Sequence, residues 1–385
     1  MRGVLRGVID PELGDNVVDL GMVRQVSVGD DGQISVEVAL TIAGCPLRGQ
    51  LRRDVESQVT SLPGVSSVVV HTAEMNADER RSVMVRARWK ASQRPERTDI
   101  SSTTRVVAVS SGKGGVGKSS VTVNLATALA ARGLTVGLLD ADIWGFSIPR
   151  MLGLDGRMEA EGTSDEWLIV PMEKKVWPGR LEVVSMGLLT EGEDDAIMWK
   201  GLLLNRALQH FVENVRWGEL DYLLVDMPPG TGDIQMGLAR LIPRTELLIV
   251  TTPALAAQKV AARAADMARK CFLRVAGVIE NMGTFTCGCG QRHAFFGEGG
   301  GRRLAEEIGA PLIGSIPLDP AVAAGGDSGV PVALDGEGPV AAAFATLAER
   351  LVGEIVPLVE MTGCTARLLG RVEAALDGGP SIEEA

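Results

Sequence analysis

The sequence predicts an α/β protein: a doubly wound, mostly parallel sheet preceded by a small α+β domain. Three observations lead there. From Val106 onward, short apolar runs alternate with longer helical stretches, the rhythm of parallel strands joined by crossover helices. One strand-to-helix junction in that region, "SSGKGGVGKSS", is dense in glycine. Residues 1 to 90 lack the rhythm and show alternating apolar and polar positions about a polar turn.

In sequence order, "VIDPELGDNVVDLGMVRQVSVGDDGQISVEVALT" holds a turn and then two strand patterns flanking "GDDG". "PLRGQLRRDVESQVTSL" has helical spacing and stops before Pro63 and Gly64, after which "VSSVVVHT" reads as a strand. "KASQRPERTDISSTTR" is polar and aperiodic, a linker. "RVVAVSS", "LTVGLLDAD", "LDYLLVDMPPG", "TELLIVTTP" and "RVAGVIENM" are apolar enough for central strands covered on both faces. "KSSVTVNLATALAARG" and "ALAAQKVAARAADMARKC" are helices between them, and "GPVAAAFATLAERLVGEIVPL" is a closing helix. The expected organisation is therefore 1–90 small domain, 91–104 linker, 105–355 main domain, and 356–385 short helix and acidic tail "SIEEA".

The 385 residues, 45% hydrophobic, suffice for two or three domains. Aromatics at 4% argue against a base-stacking surface, and a net charge of −11 argues against attraction to DNA, RNA or anionic lipid. Neither nucleic acid nor membrane is expected as a partner. "MRGVLRGVIDPELGD" lacks the apolar run of a signal peptide, and "LARLIPRTELLIVTTPALAA" is broken by Arg240, Arg244 and Glu246. A cytoplasmic protein is expected. Five scattered cysteines do not make a disulfide framework.

Gly112 to Ser119 satisfies G-x-x-x-x-G-K-[ST], a phosphate-binding loop. Gly112, Lys113, Gly114, Gly115, Val116, Gly117, Lys118, Ser119 and Ser120 form the expected nucleotide cradle. In such a loop, backbone N–H groups and a helix N-terminus face the phosphates. Lys118 is expected on the β- and γ-phosphates and the Ser119 hydroxyl on Mg²⁺. "LLDAD" ends one strand with Asp140 and Asp142, and "LLVDMPPGTGD" ends another with Asp226 and, later, Asp233. Carboxyl ends of parallel strands share one crevice. Asp226 is placed to hold Mg²⁺, and Asp142 to position or deprotonate an attacking water.

"KGGVGKS" resembles the deviant Walker A loop of the P-loop ATPase superfamily of Min and Par positioning ATPases, arsenite-pump ATPases and nitrogenase iron protein. In that superfamily the earlier lysine, here Lys113, reaches the partner's nucleotide, so the resemblance implies a homodimer. "DADIWGFSIPRMLG", "VDMPPGTGD", "VIENM" and "FFGEGGGRRLAEE" resemble, more narrowly, the Mrp-type (ApbC-like) iron–sulfur cluster carrier family. That resemblance spans roughly Val106 to Val352. It implies that Asn281 reads adenine, with an amide that can both donate and accept; the alternative is an Asn that caps the strand-to-loop turn. "DPELGDNVVDLGMV" with "LTIAGCPLRGQL" resembles the small domain fused to some of these carriers and found alone in iron–sulfur assembly factors. Cys45 in its "GCP" turn is either a thiolate at a helix N-terminus or a buried structural cysteine.

The resemblance implies an ATP-hydrolysing carrier that binds a [4Fe-4S] cluster, receives it from an assembly scaffold and passes it to apo iron–sulfur proteins. "TFTCGCGQRH" supplies Cys287 and Cys289. A cluster generally takes four thiolates, which two copies of the pair would furnish. The family has C-x-x-C here, whereas this sequence reads C-x-C, which changes the bite of each pair. Zinc, or thiols with no metal, are the other outcomes of such a pair. A second departure is Gly145-Phe146-Ser147 where the family has Gly-Pro-Ser. A Min- or Par-type positioning switch is the alternative function; it calls for a basic amphipathic C-terminal helix or a basic face, and the protein is acidic.

Overall fold

The computed structural model describes residues 1–10, 13, 15–29, 31–40, 48–76, 78–80, 82–83, 86, 100–142, 145–162, 167–188, 201–230, 237–238 and 241–359. Cys45, Asp233, Cys364, most of the linker and the C-terminal helix and acidic tail lie outside them. The protein divides into two compact units, one within residues 1–94 and the other within 95–358.

In the first unit, β1 (Ile9–Asp10) pairs with β2 (Asp15–Asn16). β3 (Val23–Val28), β4 (Gln33–Leu40) and β5 (Ser67–Glu74) form a three-stranded sheet, antiparallel then parallel. The helix Arg48–Thr60 lies against β5 and buries Leu51, Val55 and Val59 in one core with Ile34, Val36 and Val38 of β4 and Val70 of β5. The α+β expectation for this region describes it well.

The second unit begins with β6 (Arg105–Ser111) and β7 (Thr135–Asp140). A small antiparallel pair follows, β8 (Glu159–Gly162) with β9 (Trp167–Val170), and then β10 (Met172–Val176) and β11 (Gly179–Ser185). The later strands are β12 (Tyr222–Asp226), β13 (Glu246–Thr251), β14 (Arg274–Glu280), β15 (Phe285–Thr286), β16 (Arg292–His293) and β17 (Leu312–Ser315). The main sheet has eight strands in the order β10-β11-β7-β12-β6-β13-β14-β17. Only β10 runs antiparallel to its neighbour. β6, β12 and β13 lie at the centre and are buried along nearly their whole length, as their unbroken apolar runs require. Helices Lys118–Ala130, Leu255–Lys270, Gly300–Ile308 and Gly338–Arg350 cover the sheet.

Ile100 to Thr104, inside the stretch read as linker, lie against this unit. Ile100 joins its core, Arg244 Nη2 donates to the carbonyls of Ile100 and Ser101, and Thr104 Oγ1 donates to Leu220 O. No helix among the described residues is long and apolar enough to cross a membrane.

Candidate functional site: a nucleotide cleft and a cysteine hairpin

β6 ends at Ser111 and the backbone turns into the helix Lys118–Ala130 through the glycine-rich loop. Gly112 fits only as glycine, because a Cβ there would run into the backbone of Val260 and Ala261. Gly117 caps the helix at φ +76°, a left-handed conformation that Gly adopts without steric cost. Ser111 Oγ braces the loop by donating to Lys113 O at 3.0 Å. An open cleft of about 210 Å³ lies over the loop, lined by Lys113 to Ser120 and by Asp142, Ser147, Met151 and Pro229.

Because β12 lies between β7 and β6, its last residue, Asp226, comes up beside the loop. Lys118 Nζ sits 2.6 Å from Asp226 Oδ2 and 3.1 Å from Ser119 Oγ. Ser119 Oγ donates to Asp226 Oδ2 at 2.6 Å and Thr122 Oγ1 to Oδ1 at 2.7 Å. Thr122 is a member of this site that the motif does not name. It stands three residues after Ser119, on the same helix face, and that spacing is the signal by which the sequence marks it.

Asp140 and Asp142, separated by Ala141 alone, have different surroundings. Asp140 is buried, accepts from Ser185 Oγ at 3.1 Å and from the Asp142 N–H at 3.2 Å. Burial, and then repulsion from Asp226, raise its carboxyl to about 7. Asp142 lines the cleft; burial raises its carboxyl too, while the Lys118 ammonium pulls the other way. Lys113 is exposed and forms no ion pair among the described residues.

Asn281 follows β14. Its N–H donates to Thr251 O at 2.7 Å, and its Nδ2 donates to Val116 O at 2.9 Å, directly over Gly117. This residue is therefore fastened to the phosphate loop itself.

Cys287 and Cys289 occupy the loop of the antiparallel hairpin β15–β16. The hairpin is closed by Cys287 N–H donating to Gln291 O at 2.9 Å, and by Gly290 N–H donating to Cys287 O at 2.8 Å. Cys287 is half-buried and Cys289 exposed, their sulfurs are bonded to each other, and their Cα atoms are 5.4 Å apart. Phe285, His293 and Phe295 cluster in the same hairpin region at centroid separations of 5.8 to 6.3 Å, His293 stacked on Phe295 and Phe285 tilted to both. Among the described residues no three His, Cys, Asp or Glu side chains gather as a metal site. Among the described residues the pair thus brings two sulfurs and no third ligand of these types. Cys271 ends the helix Leu255–Lys270 and packs against the core, as its helical context implies.

Comparison with known proteins places these sites in a family context. Residues 102–352 match the family model described as NUBPL iron-transfer P-loop NTPase, and residues 1–71 match one described as iron-sulfur cluster assembly protein. An iron-sulfur cluster carrier protein of Mycobacterium bovis is 47% identical over 342 residues, covering 87% of each protein. One from Synechocystis is 39% identical, covering 91% of this protein and 96% of the relative. Among solved structures, a nucleotide-binding protein of Archaeoglobus fulgidus in complex with ADP is 35% identical with a TM-score of 0.50, covering 61% of this protein and 89% of that one.

Proposed function

The chain belongs to the NUBPL iron-transfer P-loop NTPase family, and on that premise we propose that it is an ATP-hydrolysing carrier. It holds a [4Fe-4S] cluster between two copies of itself and passes it to apo-proteins in the cytoplasm. The observation that carries this reading is the pairing, within one unit, of a loop-and-carboxylate nucleotide cleft with an exposed two-cysteine hairpin. The second feature gives a nucleotide-driven switch a cargo.

ATP would lie with its phosphates on the N–H groups of Gly114 to Ser120 and its adenine against Asn281. Lys118 would move its ammonium from Asp226 to the β- and γ-phosphate oxygens, and Lys113 of a second copy would add positive charge once the dimer closes. The donor set fits Mg²⁺: Ser119 Oγ and Asp226 are hard oxygen ligands that already meet at 2.6 Å, with phosphate and water left to complete the shell. Bound there, the ion would neutralise charge on the phosphates. Asp142 faces the same cleft, and its raised proton affinity suits it to take the proton of the attacking water. As the water oxygen bonds to the γ-phosphorus, the bond to the ADP oxygen breaks.

Two sulfurs per protomer are half of the set a cluster generally needs, so the cargo calls for a second hairpin. The pair must first be reduced to its thiolates. Transfer is tested by loading the reduced protein, mixing it with an apo [4Fe-4S] enzyme under anaerobic conditions, and following that enzyme's recovery. Recovery faster than from free iron and sulfide supports the reading; equal rates contradict it.

A further inference from the structure

The hairpin is attached to the body of its unit at its base, and both ends of the excursion meet at two consecutive residues. The backbone leaves β14 at Glu280 and Asn281, runs through the cysteines and the aromatic cluster, and returns at the helix Gly300–Ile308. Residues 288–299 are exposed throughout.

Asn281 holds the outgoing end. Its amide is bonded to Val116 O of the phosphate loop, and Met282 beyond it takes φ +54°, unusual for a residue with a long side chain. Gly283 N–H then donates to Ile316 O at 2.9 Å. Glu280 holds the returning end. It is 6% exposed; Oε2 accepts from the Gly301 N–H at 2.6 Å, and Oε1 accepts from Ser315 Oγ at 2.8 Å. Gly301 packs so closely that a Cβ there would lie 2.6 Å from Glu280 Cβ. A buried carboxylate thus anchors the first turn of the helix that ends the excursion, where the helix dipole favours it.

We propose that Glu280 and Asn281 form a clasp that couples the nucleotide loop to the cysteine hairpin, with Glu280 as a positioning residue for Cys287 and Cys289. A ligand that shifts Val116 and Gly117 moves Asn281. Glu280, one residue away and fixed to the opposite end of the excursion, makes both ends move together, so the hairpin is re-aimed as one body. Without Glu280 only one end follows. The inference rests on the proposal that this pair is the cargo site, but its test reads thiol access and needs no cluster.

The full-length protein is reduced and its Cys287–Cys289 peptide alkylated by iodoacetamide. Rates are followed by mass spectrometry with no nucleotide, with Mg-ADP and with a non-hydrolysable Mg-ATP analogue. Wild type is expected to change its rate by about fivefold or more between nucleotide states. In Glu280→Ala that dependence is lost, while nucleotide affinity stays within about twofold of wild type, because Glu280 does not face the cleft. Glu280→Gln, which keeps an acceptor for Gly301 N–H, restores most of it. A merely structural Glu280 would lower the melting temperature and leave the dependence in place. No dependence in wild type, or full dependence in Glu280→Ala, overturns the proposal. If Glu280→Ala does not fold, Ser315→Ala, which frees only Oε1, is read instead: reduced dependence supports the clasp and unchanged dependence overturns it. Failure of cluster loading with these rates intact would count against carriage and leave the clasp standing.

Discussion

Lys118 and Asp226 are joined by a buried ion pair, Nζ to Oδ2 at 2.6 Å, with side chains only 6% and 1% exposed. In the proposed function these two groups serve phosphate and Mg²⁺; in the nucleotide-free protein their charges balance each other in the cleft. Removing one leaves the other buried and uncompensated. Lys118→Ala should therefore destabilise the nucleotide-free protein by about 3–5 kcal/mol. Lys118→Ala with Asp226→Asn should be less unstable than the single variant. Urea unfolding of the four proteins of the cycle measures this, and strict additivity would show that the pair is not coupled.

Asp140 gives the cleft a pH dependence. Its folded carboxyl, raised to about 7 by burial and by Asp226, binds its proton more tightly than the 3.8 of the free side chain. Its contribution is fully present below about pH 4 and is lost as pH rises through 7, with a slope of up to about 1.4 kcal/mol per pH unit. Thermal unfolding of nucleotide-free protein from pH 5 to 8 should fall less steeply for Asp140→Asn than for wild type. Equal slopes would mean that Asp140 titrates near its ordinary value.

Lys113 should act only across a dimer. Since it is exposed and makes no ion pair among the described residues, Lys113→Ala should leave melting unchanged. ATP turnover should drop by about 10³-fold, the scale of a cation supplied in trans. Mixing Lys113→Ala with Lys118→Ala should recover activity, because a mixed dimer has one site holding both lysines. Absence of recovery would place Lys113 in its own subunit's site.

Gly117 lies beneath Asn281 at φ +76°, where a Cβ would run into Nδ2. Gly117→Ala should cost about 1–3 kcal/mol in strain and push Asn281 off Val116. ATP affinity by calorimetry should fall, and an unchanged affinity would show that this packing is not needed for binding.

Much of the nucleotide cleft is legible in the sequence, because a phosphate loop must be local: Gly112 to Ser119 is contiguous, and Asp140 and Asp226 mark strand ends by following apolar runs. The central strands are equally plain. β8, exposed along its whole length, and the two-residue strands β15 and β16 are not, since no buried face imposes a period on them. The helix Pro320–Ser328 has no buried residue and escapes for the same reason. Which of Asp140 and Asp142 is buried depends on Ser185 of β11, a neighbour 45 residues away. Likewise the Asn281 amide reaches Val116 across 165 residues, and Glu280 reaches Gly301 only through the fold.

A single cluster held between two cysteine hairpins is what separates a carrier from a bare nucleotide switch. Anaerobic reconstitution of reduced protein with iron and sulfide, followed by native mass spectrometry and by iron and sulfide analysis, tests for it directly. The expected product is a dimer with about four irons and four sulfides, which Cys287→Ala/Cys289→Ala cannot bind. Wild type without bound iron, or iron retained by the double variant, would contradict the carrier reading.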